Sequence, residues 1–201
     1  MNVYLEATYM AETPSTMIPL GTVMPDFSLP DFSNTTISKN DLRHAKGVLI
    51  AFICNHCPFV KHIQYNFAQL AKEYQAKDIK VLAINSNDTE HYPDDRPERM
   101  EEVAKAVGYT FPYLYDETQN VAKRFKAACT PDFFLFDSNL KLVYRGQMDD
   151  SRPSNGRPND GTDLRAALDR LLVGAPPLQD QKPSVGCNIK WKLGNEPEYF
   201  G

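Results

Sequence analysis

Residues 47–75 read GVLIAFICNHCPFVKHIQYNFAQLAKEYQ, and three signals follow one another along them. Val48, Leu49, Ile50, Ala51, Phe52 and Ile53 form a short apolar run rich in β-branched types, the composition of a strand covered on both faces. Cys54-Asn55-His56-Cys57 comes directly after it. Phe59, Ile63, Phe67, Leu70 and Tyr74 then recur at spacings of 4, 4, 3 and 4, with Lys61, Gln64, Lys72 and Glu73 on the other side. That period predicts an amphipathic helix starting at or near the cysteines.

Working outward, a second apolar run, Ile79 to Asn85, completes a strand, helix, strand unit whose crossover should be right-handed. Met100, Val103, Ala104 and Val107 predict a helix over Arg99 to Val107, with Gly108 as its stop. A short helix is expected from Glu117 to Lys126. Phe133 to Phe136 and Leu140 to Tyr144 flank Asp137-Ser138-Asn139 as an antiparallel hairpin, so the predicted sheet is mixed. A polar loop, Asp149 to Asp160, leads to a last helix, Thr162 to Val173, with Leu164, Leu168, Leu171 and Leu172 as its apolar face.

The predicted class is therefore α/β, a central mixed β-sheet flanked by helices. Pro14 and Pro19 keep residues 1–20 from being helical, and these read as an N-terminal arm. Residues 21–173 form the one domain that a 201-residue chain with 42% hydrophobic side chains predicts. Residues 174–201 are rich in Pro and Gly and read as an irregular tail; because it carries Cys187 and the only tryptophan, Trp191, it is expected to pack on the domain.

With 26 acidic against 22 basic side chains the chain offers phosphates no general attraction, which argues against a nucleic-acid partner. The densest charge stretch, Asp88 to Glu102, sets seven acids against Arg96 and Arg99. The longest apolar run, Val48 to Cys54, is far short of the roughly 18 to 20 residues of a membrane helix. The first twenty residues hold no Lys or Arg and no continuous apolar stretch, so they lack the parts of a secretory signal, and the expected compartment is the cytoplasm.

Four cysteines are too sparse for a disulfide scaffold, but a thiol at a helix start meets unpaired N–H groups and the positive end of the helix dipole, and ionises more easily. Its thiolate attacks a disulfide or a peroxide, and a second thiol one turn away closes on the first. His56, inside the pair, would stabilise a thiolate if protonated; the bland alternative is a solvated loop histidine. Half a zinc site, with His56 or His62 drafted in, is the competing reading of the pair, and so is a chance pair of buried structural cysteines. Zinc lacks its second cysteine pair, since Cys129 and Cys187 stand alone, so no metal is expected.

Over residues 20 to 173 the chain resembles the thioredoxin superfamily, and within it the peroxiredoxin-like branch related to alkyl hydroperoxide reductase and thiol-specific antioxidant proteins. Met24-Pro25-Asp26-Phe27-Ser28-Leu29 looks like that branch's approach to its first strand, and Cys54-Asn55-His56-Cys57-Pro58 like its active-site turn. Cys129-Thr130-Pro131-Asp132-Phe133 is similar to the family's cis-proline segment. The resemblance implies a thioredoxin-like fold, a cis bond at Thr130-Pro131 beside the CxxC turn, and a substrate peptide pairing with the residue before that proline. Catalytic Cys54, Cys57 and His56, and substrate-binding Thr130 and Pro131, are the site it implies, with no cofactor.

Two departures matter. Peroxiredoxins carry a threonine three residues before the peroxidatic cysteine, whose place Cys57 takes; here that position is Cys54. They also carry an arginine near the later strand, and Ala127 to Asp137 holds none. The resemblance therefore implies a thiol–disulfide oxidoreductase acting on protein or small-molecule disulfides, with thioredoxin or a low-molecular-weight thiol as reducing partner. A Cys57 thiol peroxidase and a non-enzymatic redox-sensing or zinc-holding module are the alternatives. Cys129 reads as a buried small hydrophobe ahead of a third redox thiol. Cys187 reads equally as structural or as an auxiliary redox thiol.

Overall fold

The computed structural model describes residues 12–200. Its strands are β1 (Glu12–Pro14), β2 (Ser28–Pro30), β3 (Thr36–Ser38), β4 (Gly47–Phe52), β5 (Ile79–Asn85), β6 (Tyr113–Tyr115), β7 (Cys129–Thr130), β8 (Asp132–Asp137), β9 (Leu142–Gly146) and β10 (Val185–Asn188). The helices are α1 (Pro58–Gln75), α2 (Pro97–Val107), α3 (Asn120–Phe125) and α4 (Thr162–Leu172), with 3-10 turns at Lys39–Leu42 and Pro93–Asp95.

Five strands form the central sheet in the order β6-β5-β4-β8-β9. β4 runs parallel to β5 and β5 to β6, while β8 is antiparallel to both β4 and β9, so the sheet is mixed. Every residue of β4 is buried, because its two faces serve two cores. Leu49 and Ala51 pack with Val60, Phe67 and Leu70 of α1 and Leu164 and Leu168 of α4. Val48, Ile50 and Phe52 pack with Phe125 of α3 and with Ile189 and Trp191 of the tail. Burying a large apolar side chain of this kind contributes about 1.5–3 kcal/mol, which explains why the period-2 and period-3.6 patterns dictate these elements.

Two differences from the sequence reading have local causes. The helix expected over Glu117 to Lys126 is confined to Asn120–Phe125, because Gln119 and Lys126 take left-handed backbone at φ 63° and 52°. The Asp116 carboxylate accepts from Ala122 N at 2.9 Å and closes the first turn. The tail contains a strand, β10, that its Pro- and Gly-rich composition does not announce. β10 lies between β1 and β7 in a second, antiparallel sheet. The arm thus supplies a strand too; its residues 1–11 lie outside the described ones. Among the described residues no helix is long and apolar enough to cross a membrane.

Candidate functional site: a CxxC turn between two sheets

β4 ends at Phe52, and Ile53 N still donates to Ile84 O at 3.0 Å, which carries the chain straight to the start of α1. Cys57 is the N-cap of that helix, with Pro58 at its first position, where a missing N–H costs no helical bond. Cys54 stands three residues earlier, within one turn of the helix start. Both thiols are buried, Cys54 at 2% exposure and Cys57 at 0%.

The Thr130-Pro131 bond is cis, and Thr130 touches both cysteines. Cys54 Sγ lies 3.3 Å from Thr130 Oγ1, and Cys57 Sγ lies 3.2 Å from the Thr130 carbonyl oxygen. Sequence spacing of 73 residues or more separates these partners. The fold joins them because β8, which follows Pro131, pairs with β4, which precedes the cysteines; Phe52 and Asp132 are opposite one another.

His56 is not a solvated loop histidine. Its Nδ1 lies 2.6 Å from Asp95 Oδ2, and its ring stacks on Tyr92 with centroids 5.3 Å apart. Asp95 is fully buried and accepts from Asn55 N at 2.7 Å and Asn87 Nδ2 at 2.8 Å as well. Asn55 Nδ2 donates to Asp94 O at 2.8 Å, and Tyr113 OH donates to Asn55 Oδ1 at 3.1 Å. The turn between the cysteines is therefore clamped by a carboxylate from the 3-10 turn at Pro93–Asp95. The sequence does not single out Asp95, because it lies within an acidic run where solvated charge is the ordinary reading.

The two thiols of the pair are driven apart in acidity. Burial, the hydrogen bond with Cys57 and the charge of Asp95 push the Cys54 thiol well above its ordinary value. Burial also opposes ionisation of Cys57, but hydrogen bonds from the Cys187 and Cys54 thiols and from the backbone at Val60 outweigh it and bring Cys57 well below the usual thiol range. Cys57 is thus the more acidic member of the pair and Cys54 the less acidic.

Cys129 and Cys187 lie on the neighbouring strands β7 and β10 of the smaller sheet. Cys129 is buried in β7, with Sγ 3.7 Å from Pro131 O, and burial raises its thiol strongly. Cys187 Sγ lies 2.8 Å from Cys57 Sγ. Cys54, His56 and Asp95 each offer one donor atom within 4.8 Å of the others, but the Asp95 oxygens already accept from Asn55, His56 and Asn87. Arg145 and Arg152 are engaged elsewhere: Arg145 with Ile18 O at 2.9 Å and Gln181 Oε1 at 2.8 Å, Arg152 with Asp149 O at 2.8 Å and Gln147 Oε1 at 2.5 Å.

Three comparisons bear on this geometry. A structure of an uncharacterized conserved protein from Geobacillus kaustophilus is 54% identical, covers 91% of this chain and 97% of its own, and superposes with a TM-score of 0.89. The thioredoxin domain of a thiol-disulfide oxidoreductase from Bacteroides vulgatus is 16% identical, with a TM-score of 0.59 over 75% of this chain and 99% of that one, which shows a thioredoxin-like fold. Thiol-disulfide oxidoreductase ResA of Halalkalibacterium halodurans is 23% identical over 118 residues, 59% of this chain; the match spans 62% of that relative's length. Residues 20–145, from the approach to β2 through most of the β8–β9 hairpin, match the AhpC/TSA family, and the chain belongs to that family.

Proposed function

We propose that the chain is a thiol–disulfide oxidoreductase in which Cys54 and Cys57 cycle between dithiol and disulfide. The observation that carries this reading is the pair of contacts from one threonine: Thr130 Oγ1 on Cys54 and Thr130 O on Cys57, at 3.3 and 3.2 Å. One residue beside a proline thus holds both thiols of a CxxC at a helix start. In the reaction a thiolate of the pair attacks one sulfur of a substrate disulfide, and the other substrate sulfur leaves as a thiolate. The second thiol gives up its proton, attacks the mixed disulfide and closes Cys54–Cys57, releasing the remaining substrate sulfur. The substrate gains two electrons and the pair loses two.

The relative ResA is a thiol-disulfide oxidoreductase, which agrees in kind. A protein disulfide as substrate, a thioredoxin-type or low-molecular-weight thiol as reductant, and a cytoplasmic setting belong to the same proposal. Peroxide reduction needs preorganised donors on the developing oxygen charge, each worth roughly 10²- to 10³-fold. Arg145 and Arg152, downstream of the cis proline, are committed to Gln181, Gln147 and backbone carbonyls instead, and Arg124, upstream of it, donates to Asp26 O. The test is stopped-flow reaction of the reduced protein with hydrogen peroxide and, separately, with a protein disulfide such as insulin. Wild-type protein should reduce insulin and Cys57→Ser should not. Fast peroxide consumption with insulin untouched would replace this reading by a Cys57 peroxidase.

A further inference from the structure

Cys187 sits in β10, the middle strand of the smaller sheet, opposite Thr130 of β7. Its sulfur lies 2.8 Å from Cys57 Sγ. The residue before it makes this approach possible. A Cβ on Gly186 would stand 2.1 Å from Thr130 O, so a side chain there would force β10 away from β7. The strand is held at both ends, by Ser184 N donating to Ser15 Oγ at 2.7 Å and Lys190 N donating to Asn87 Oδ1 at 2.8 Å. Cys129, on the neighbouring strand, faces Pro131 O instead. One thiol of the tail is therefore aimed at the hub of the pair, and the other buried cysteine is not.

We propose that Cys187 is the third thiol of the site: Cys57 forms its disulfide with either Cys54 or Cys187, so that oxidising equivalents pass from the CxxC turn to the tail strand. This rests on the thiol–disulfide reading above. In the transfer the Cys187 thiolate attacks the Cys57 sulfur of the Cys54–Cys57 disulfide. The Cys57–Cys187 bond forms as the Cys54–Cys57 bond breaks. Cys54 leaves with the bonding electron pair and takes up one proton from solvent, balancing the one that Cys187 gave up; Thr130 Oγ1, 3.3 Å from Cys54 Sγ, is within hydrogen-bond reach of the departing thiolate. No electrons are gained or lost in this step, since the substrate disulfide has already accepted two. Cys54 is restored as a thiol while the protein stays oxidised.

The deciding experiment uses full-length Cys54→Ser protein, reduced and then treated with equimolar diamide, which takes up two electrons and two protons per disulfide formed. Remaining thiols are blocked and the protein is digested without reductant. The expected result is a peptide containing Cys57 linked to one containing Cys187 in most molecules, absent from Cys54→Ser/Cys187→Ser. Cys54→Ala, checked by circular dichroism for a native spectrum, should give the same link and guards against a folding defect of the serine variant. Intermolecular disulfides or a diamide adduct on Cys57, with Cys187 recovered as blocked thiol in both folded variants, would overturn the proposal. Failure of wild-type protein to reduce insulin is a separate result: it removes the parent reading and leaves the cross-link to be judged by the digest.

Discussion

Asp95 holds His56 through a 2.6 Å contact between Oδ2 and Nδ1, and it does so from a 3-10 turn 39 residues further along the chain. The same carboxylate receives Asn55 N and Asn87 Nδ2, so one buried charge sets both the shape of the CxxC turn and the field at Cys54. Asp95→Asn keeps the volume and removes the charge. Hydrogen bonds to charged groups contribute about 1.5–3 kcal/mol, and a loss of that size is expected in urea unfolding. Cys54, relieved of the Asp95 charge that helps hold its thiol up, should alkylate at lower pH than in wild type. An unchanged alkylation profile would show that Asp95 acts on the turn's shape alone.

Thr130→Val should move Cys54 the opposite way. The Thr130 hydroxyl lowers the Cys54 thiol, against burial and the Cys57 hydrogen bond, and valine removes that hydroxyl while keeping the β-branch and the carbonyl that faces Cys57. A neutral hydrogen bond is worth about 0.5–1.5 kcal/mol, so insulin reduction should slow by up to roughly tenfold and the Cys54 alkylation profile should shift upward. Equal rates for the variant and wild type would remove Thr130 Oγ1 from the mechanism.

Cys57 should be a thiolate in the reduced protein at neutral pH. Its folded-state value lies below the ordinary thiol value of about 8.5, so its contribution to stability is complete above that pH and is lost as pH falls through the folded value. The ultraviolet thiolate absorbance of the reduced protein should therefore persist well below pH about 8.5 and vanish in Cys57→Ser. Cys187→Ala removes the hydrogen-bonding thiol beside Cys57 that helps lower it and should raise the pH at which that absorbance appears. Absorbance developing only at the ordinary thiol pH would contradict the assignment.

Asp132, directly after the cis proline, is buried, and its Oδ2 has no hydrogen-bond partner among the described residues. Burial pushes its carboxyl up to about 8, although Ser15 Oγ donates to Oδ1 at 2.9 Å. An unfolded aspartate titrates near about 3.9, so between that pH and about 8 the folded state binds the extra proton. Stability from this group therefore falls as pH rises across that window, by an amount on the order of a few kcal/mol. Asp132→Asn should lack this fall, and urea unfolding at the two ends of the window compares the slopes. Parallel slopes for the two proteins would mean that Asp132 is ionised throughout.

Gly186→Ala tests the packing of the small sheet. The added Cβ meets Thr130 O at 2.1 Å, and neither strand has a flexible side chain there to yield. Overpacking of this kind costs about 1–3 kcal/mol, and β10 should move away from β7, so that the tail becomes sensitive to proteases in native buffer. A wild-type melting point and an equally resistant tail would place the two strands farther apart than described.

The sequence by itself determined what depends on neighbours along the chain. The apolar run of β4, the 3.6-residue period of α1 and the placement of Cys57 at the helix start all follow from side chains a few residues apart, because hydrophobic burial selects the period. Tertiary structure decided the surroundings of those thiols. Asp95 lies in an acidic run that reads as solvated, yet the turn at Pro93–Asp95 folds inward and buries it. Val185-Gly186-Cys187-Asn188 is too short, and too poor in pattern, to read as a strand. It becomes one because β1 and β7 offer unpaired edges on either side, and backbone groups removed from water must be paired. Cys57 and Cys187 are 130 residues apart, and no local period records a meeting set by sheet registers and by the missing side chain of Gly186.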